Sequence, residues 1–198
     1  MATDDRPRSL QYLEEIAHRR MLLSEPHMKP LETFVKELRS QNYGEVPDFD
    51  PLDGGINAQA LFLYEKPGPK ANVSGFISRN NNDRTAENSF NFMERAKIPR
   101  KQTCIWNVIP GWNGTIKTTS VELREGIASL QRLLVLLPRL SVVVFVGNKA
   151  ERARSQFENS NLALLRSYHP SPKNQSLAPD KWNTIPAQWS HVIDYLTL

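Results

Sequence analysis

The chain has 198 residues, 39% of them hydrophobic and 23% charged, with 25 Lys and Arg against 21 Asp and Glu. That length supports one domain with a full hydrophobic core, and the composition excludes a disordered or fibrous chain. The net charge of +4 permits a polyanionic partner without demanding one.

Cys104 is the only cysteine. An internal disulfide and a thiolate-held zinc site or iron–sulfur cluster are excluded, and a reducing, cytoplasmic, nucleoid-associated setting is expected. Met1 to Ser9 is polar and lacks the apolar centre of a secretory signal. No apolar run approaches the ~18–20 residues of a membrane span.

In chain order, Leu10 to Leu23 has helical spacing, with Leu10, Leu13, Ile16, Ala17 and Met21 tracing one face. Two prolines interrupt Ser24 to Pro30. A second helix covers Leu31 to Asn42, with Leu31, Phe34, Val35 and Leu38 as its stripe. Val46 to Asn57 is loop by composition, and Ala58 to Glu65 is a buried strand. Pro67 to Asp83 is a long polar connection before a helix from Arg84 to Ile98.

Thr103 to Pro110 is β-rich, and Ser120 caps a helix from Val121 to Leu137. Ser141 to Val146 is an unbroken apolar strand that suits a parallel sheet covered on both faces. A polar helix starts at Gly147 and Asn148, a fourth strand runs from Leu162 to Tyr168, and a helix closes the chain from Ile185 to Leu196. The alternation predicts a three-layer α/β/α sandwich around a four-stranded parallel sheet. Residues 1–45 form a helical extension packed on it, within one domain spanning 1–198.

Sites in such folds lie beyond the carboxyl ends of the strands. That edge collects Glu65 to Asp83, Asn107 to Thr119, Gly147 with Asn148, and His169 to Lys181. It holds amides, aromatic rings, cations and one histidine. It lacks the glycine fingerprint of nucleotide-binding folds and the Gly-x-Ser-x-Gly elbow of hydrolases.

These strand ends carry four segments in order: Tyr64-Glu65-Lys66-Pro67-Gly68-Pro69, Ser74-Gly75-Phe76, Asn107 within CIWNVIP, and His169-Pro170-Ser171-Pro172. The set resembles the motifs of the uracil-DNA glycosylase superfamily over roughly Val46 to Trp189. The resemblance implies a monofunctional DNA glycosylase of base excision repair. Its partner is DNA containing uracil or a modified base, and it needs no metal or cofactor. A monomer is sufficient.

Within that resemblance, Phe76 stacks on a flipped base and the Asn107 carboxamide reads its edge, accepting from an imide N–H and donating to a carbonyl. His169 faces the oxygen on which the departing base gathers negative charge. Glu65, Lys66 and Gly68 border the base. Pro67, Pro69, Arg79, Ser171, Pro172, Lys173 and Asn174 meet the DNA.

The chain departs from the best-known branch at Lys66, which stands where that branch has the Asp that orients water. The candidates for holding the water are then Asn80, Asn81, Asn82 and Asp83, with Glu65 behind them. Gly68 stands where a Tyr excludes thymine, which leaves that wall open. Glu65 resembles the first motif of an iron–sulfur branch, whose cluster one cysteine cannot hold. Two further readings stay open: a glycosylase for another modified or bulky pyrimidine, and a catalytically silent relative that binds uracil or abasic DNA.

Overall fold

The computed structural model describes residues 3–41, 43–158 and 160–197. Its strands among these are β1 (Asp48–Phe49), β2 (Ala60–Tyr64), β3 (Phe76–Ile77), β4 (Thr103–Asn107), β5 (Val142–Val146) and β6 (Ala163–Ser167). The helices are α1 (Leu13–Leu22), α2 (Lys29–Ser40), α3 (Pro69–Ser74), α4 (Arg84–Arg95), α5 (Ser120–Val135), α6 (Pro172–Leu177), α7 (Pro179–Asn183) and α8 (Ile185–Ser190). The central sheet has four parallel strands in the order β4-β2-β5-β6. Its two inner strands, β2 and β5, are buried along their whole length, as their continuous apolar runs require.

Register decides which side chains share a face. Tyr64 pairs with Asn107 and Leu63 with Trp106. On one face Phe62 meets Trp189 of α8 edge-on at 5.0 Å, and Tyr64 shares a 2.7 Å hydrogen bond between its hydroxyl and that of Ser89 on α4. On the other face Trp106 stacks on Phe49 at 3.9 Å and tilts against Phe34 of α2 at 6.2 Å. The Arg132 guanidinium of α5 lies over the Phe34 ring, and Phe145 packs on Phe157. Helices thus cover both faces, giving the expected α/β/α sandwich.

Several local expectations need correction. The stretch from Leu10 splits into a 3-10 turn (Ser9–Gln11) and α1, and Leu13, Ala17 and Met21 are exposed. The buried face of α1 is Glu15, Ile16 and Arg19, because two of its three inward positions carry charges that pair with each other and with the core. In α2 the predicted stripe is buried; Asn42, its expected end, lies outside the described residues.

The loop 46–57 contains β1, which pairs in parallel with β3 in a two-stranded ribbon. The cap of α5 is Thr119 in a reciprocal capping box with Glu122, not Ser120. The segment after Gly147 is 3-10 helix (Ala150–Gln156), and the closing helix ends at Ser190 and tightens into a 3-10 run (His191–Tyr195). The short helices α3, α6 and α7 were not expected.

Candidate active site

The chain passes from β2 to β4 on one side of the sheet and returns to β5 on the other. The connections that leave neighbouring β2 and β5 therefore run in opposite directions, toward β4 and toward β6. A cavity of about 490 Å³ opens there, lined at its floor by Tyr64, Asn107 and His169. Backbone pairing continues past the strands, Val108 N–H to Tyr64 O and Ile109 N–H to Glu65 O, both 2.8 Å. This holds Asn107 beside Tyr64 at the cavity wall.

Asn107 is 3% exposed, yet its carboxamide makes no hydrogen bond with another described residue, and neither polar atom is sealed from the cavity. A buried amide costs free energy unless a partner satisfies it. Its donor and its acceptor are both free to meet a group in the cavity.

His169 sits edge-on to the Tyr64 ring at 5.6 Å, and its ring nitrogens have no partner among the described residues. Its backbone is pinned: Asn174 Nδ2 donates to His169 O at 2.9 Å, and Asn88 Nδ2 donates to Pro170 O at 2.9 Å. Ser171 caps α6. Gly147 (φ +86°) packs so close that a Cβ there would lie 3.0 Å from His169 Cβ. Burial, reinforced by the charge of Lys149, lowers the imidazole pKa to about 4. His169 is therefore a neutral hydrogen-bonding group at neutral pH.

The candidate water holders separate by position. Asp83 lines the cavity and caps α4 by accepting from Ala86 N–H at 2.9 Å. Burial raises its pKa against the pull of the Ala86 and Thr85 N–H groups. Asn81 lines the cavity too, but its amide is committed, Oδ1 to Ser74 Oγ at 2.6 Å and Nδ2 to Phe76 O at 2.8 Å. Asn82 is not in the lining, and neither is Asn80. Asn80 is fully buried, donating to Arg6 O and Asp5 and accepting from Arg100. Glu65 turns to a neighbouring cavity and pairs with Lys149 at 2.9 Å.

Three other expected positions shift. Phe76 is 1% exposed and packs in the core; Ile77, the next residue, lines the cavity instead, because β3 pairs with β1 and alternates its side chains. Lys66 reaches the lining, but its Nζ is taken up by Glu122 (2.7 Å), Asn113 (2.7 Å) and Lys117 O (3.2 Å), so it tethers the loop after β4. Arg79 is 1% exposed, too buried for a surface phosphate contact. It lines the cavity, donates from Nη2 to Thr103 Oγ1 at 2.6 Å and lies 3.5 Å from Asp53.

Pro67, Gly68, Pro69 and Ser171 also line the cavity, whereas Pro172 and Lys173 are exposed on α6. A Cβ on Gly68 would meet nothing within 4 Å, so this wall is open. Lys70, Thr85 and Ile116 line this cavity too, and no motif in the sequence marks them.

Behind the cavity a buried ion network fastens the 78–81 loop to α1. Arg19 donates to both oxygens of Asp50 (2.7 and 2.6 Å) and to Glu15 (2.7 Å). Arg100 bridges Asp50 (2.7 Å), Asp53 (2.9 Å) and Asn80 (2.8 Å), and Ser78 donates to Asp50. The Glu15–Arg19 spacing of four residues was the available signal; its buried partners were not.

Among the described residues no group of three or more His, Cys, Asp or Glu is arranged to hold a metal ion. No helix among them is long and apolar enough to cross a membrane.

The parallel sheet and its strand ends define an α/β protein in which the Asn107 carboxamide, the His169 imidazole and the Asp83 carboxylate share one cavity. Residues 52–190 match the family model described as uracil DNA glycosylase superfamily. The chain belongs to that superfamily. No curated protein matches it.

Proposed function

We propose that the protein is a monofunctional DNA glycosylase that hydrolyses the N-glycosidic bond of uracil or a related modified base. The observation that carries the reading is the unsatisfied Asn107 carboxamide facing a cavity shared with His169. A flipped pyrimidine supplies what that amide lacks, an N–H for Oδ1 and a carbonyl for Nδ2.

As the bond breaks, electrons move onto the base and its carbonyl oxygen becomes anionic, while the sugar gains positive character. Neutral His169 donates its N–H toward that oxygen. Arg79 and Lys70 both bring positive charge to the same cavity, and their field favours the departing anion. Asp83, among the cavity residues, accepts a proton from a water and directs its oxygen at the sugar carbon. Lys66 has no part in that step, because its Nζ is bound elsewhere.

The test is base release from single-stranded uracil DNA under enzyme excess, with hypoxanthine, xanthine and modified cytosines in parallel. Asn107→Ala and His169→Ala each lower the rate by about 10²-fold or more while leaving DNA binding within a few fold. Full activity in both variants, or a strand nicked by the pure enzyme, overturns the roles or the monofunctional assignment respectively. DNA binding without release of any base identifies a silent binding relative.

A further inference from the structure

A second cavity, of about 590 Å³, adjoins the first. The two share Ile116, His169 and Ser171 in their walls, so they meet across one partition. The second is lined by Lys149, Lys173 and Lys181 against a single carboxylate, Glu65, which Lys149 already pairs. It also carries the rings of Tyr168 and Trp182; Lys181 Nζ lies 5.8 Å from the Tyr168 centroid, and Trp182 Nε1 is buried with no partner among the described residues. Cations beside aromatic faces are what a nucleotide in a single strand needs: lysines meet phosphate and rings meet the base.

Ile116 stands where the cavities join and is 74% exposed. Its loop is nonetheless held from beneath, since Lys66 Nζ binds Asn113, Lys117 O and Glu122, and Glu122 closes the α5 capping box. An exposed apolar side chain on an anchored loop at such a junction is placed to enter between two neighbouring bases and keep them apart.

We infer that the second cavity is a subsite for the nucleotide next to the excised one on the same strand, with Ile116 between the two bases. The inference rests on the glycosylase reading of the first cavity. It adds a sequence-tolerant contact on one flank only.

The test replaces the nucleotide on either side of the target with a baseless residue in a single-stranded oligonucleotide. Base release is measured in single turnover, and binding of an uncleavable version with a 2′-fluoro target nucleotide is measured by fluorescence anisotropy. Wild type, Ile116→Ala and Lys181→Ala are compared; both positions are exposed, and melting curves verify folding.

In the wild type, the change on one flank weakens binding and slows release by about tenfold, the scale of one base–aromatic stack. The other flank is neutral, and both variants lose most of that flank dependence. No flank effect on wild-type binding, or the same effect in all three proteins, overturns the subsite. Flank-dependent binding without base release from any substrate leaves the subsite standing and removes the glycosylase reading.

Discussion

At the scale of single residues, Gly68 leaves one wall of the cavity open. Its backbone is extended (φ −92°, ψ 171°), and a Cβ would find open space, so a side chain fits without strain. Gly68→Tyr is therefore expected to fold normally and narrow the wall. It lowers release of bases with a bulky 5-substituent by about tenfold or more relative to uracil, the scale of steric selection in a pocket. The measurement is the ratio of single-turnover rates for uracil and a 5-substituted uracil. An unchanged ratio with an unchanged fold means that this wall does not touch the base.

At the scale of elements, the loop after β4 is shaped by a lysine three strands' ends would not suggest. Lys66 follows β2, but its Nζ is 2.7 Å from Glu122 at the start of α5, with only 3% of its side chain exposed. Burial alone pushes the Glu122 carboxyl up; Lys66 and the Thr119 N–H outweigh it and hold it below the usual range. Lys66→Met removes this anchor while keeping the stem's apolar contacts. It leaves α5 with its capping box and frees residues 113–118, so amide exchange rises in that loop more than elsewhere. Stability falls by about 1–3 kcal/mol, as expected for a partly buried charged contact. Exchange unchanged in the loop would show that its backbone is held by other means.

The same scale shows what was legible beforehand. β2 and β5 are legible because fully buried strands need unbroken apolar runs. The α1 face was misread because apolar periodicity counts Leu13 and Met21, while burial is decided by partners of Glu15 and Arg19 far along the chain. β1 and β3 are two residues each, too short for any period to register. Strand ends located Asn107 and His169 beside one cavity. Asn80 and Arg79 have the residue types of an exposed turn, and only tertiary partners such as Arg100 and Thr103 reveal them as buried.

For the whole molecule, acid response separates the site from the scaffold. Asp50 is pushed up by burial, but Arg100 and Arg19 outweigh this and hold its pKa at about 2. Its contribution is present above 3.8 and is lost only as pH falls from there toward 2. Arg19→Met leaves that buried carboxylate with less compensation and costs about 3–5 kcal/mol at neutral pH, read from chemical denaturation.

His169 works in a different window. Its folded pKa, about 4, lies below the ordinary 6.5, so the unfolded chain binds the extra proton between these values. The stability it supports is complete above 6.5 and drains as pH falls toward 4, by up to about 3 kcal/mol. Asp48, Asp53 and Asp83 have pKa values raised by burial and act oppositely, gaining stability as pH falls through those values toward 3.8. The raw curve mixes both signs, and subtraction isolates the histidine. The loss of melting temperature between about pH 7 and 5 is expected to be smaller in His169→Gln than in the wild type. An identical loss in the two proteins means the imidazole is not held neutral by its surroundings, and its assignment as an uncharged donor at the base oxygen fails with it.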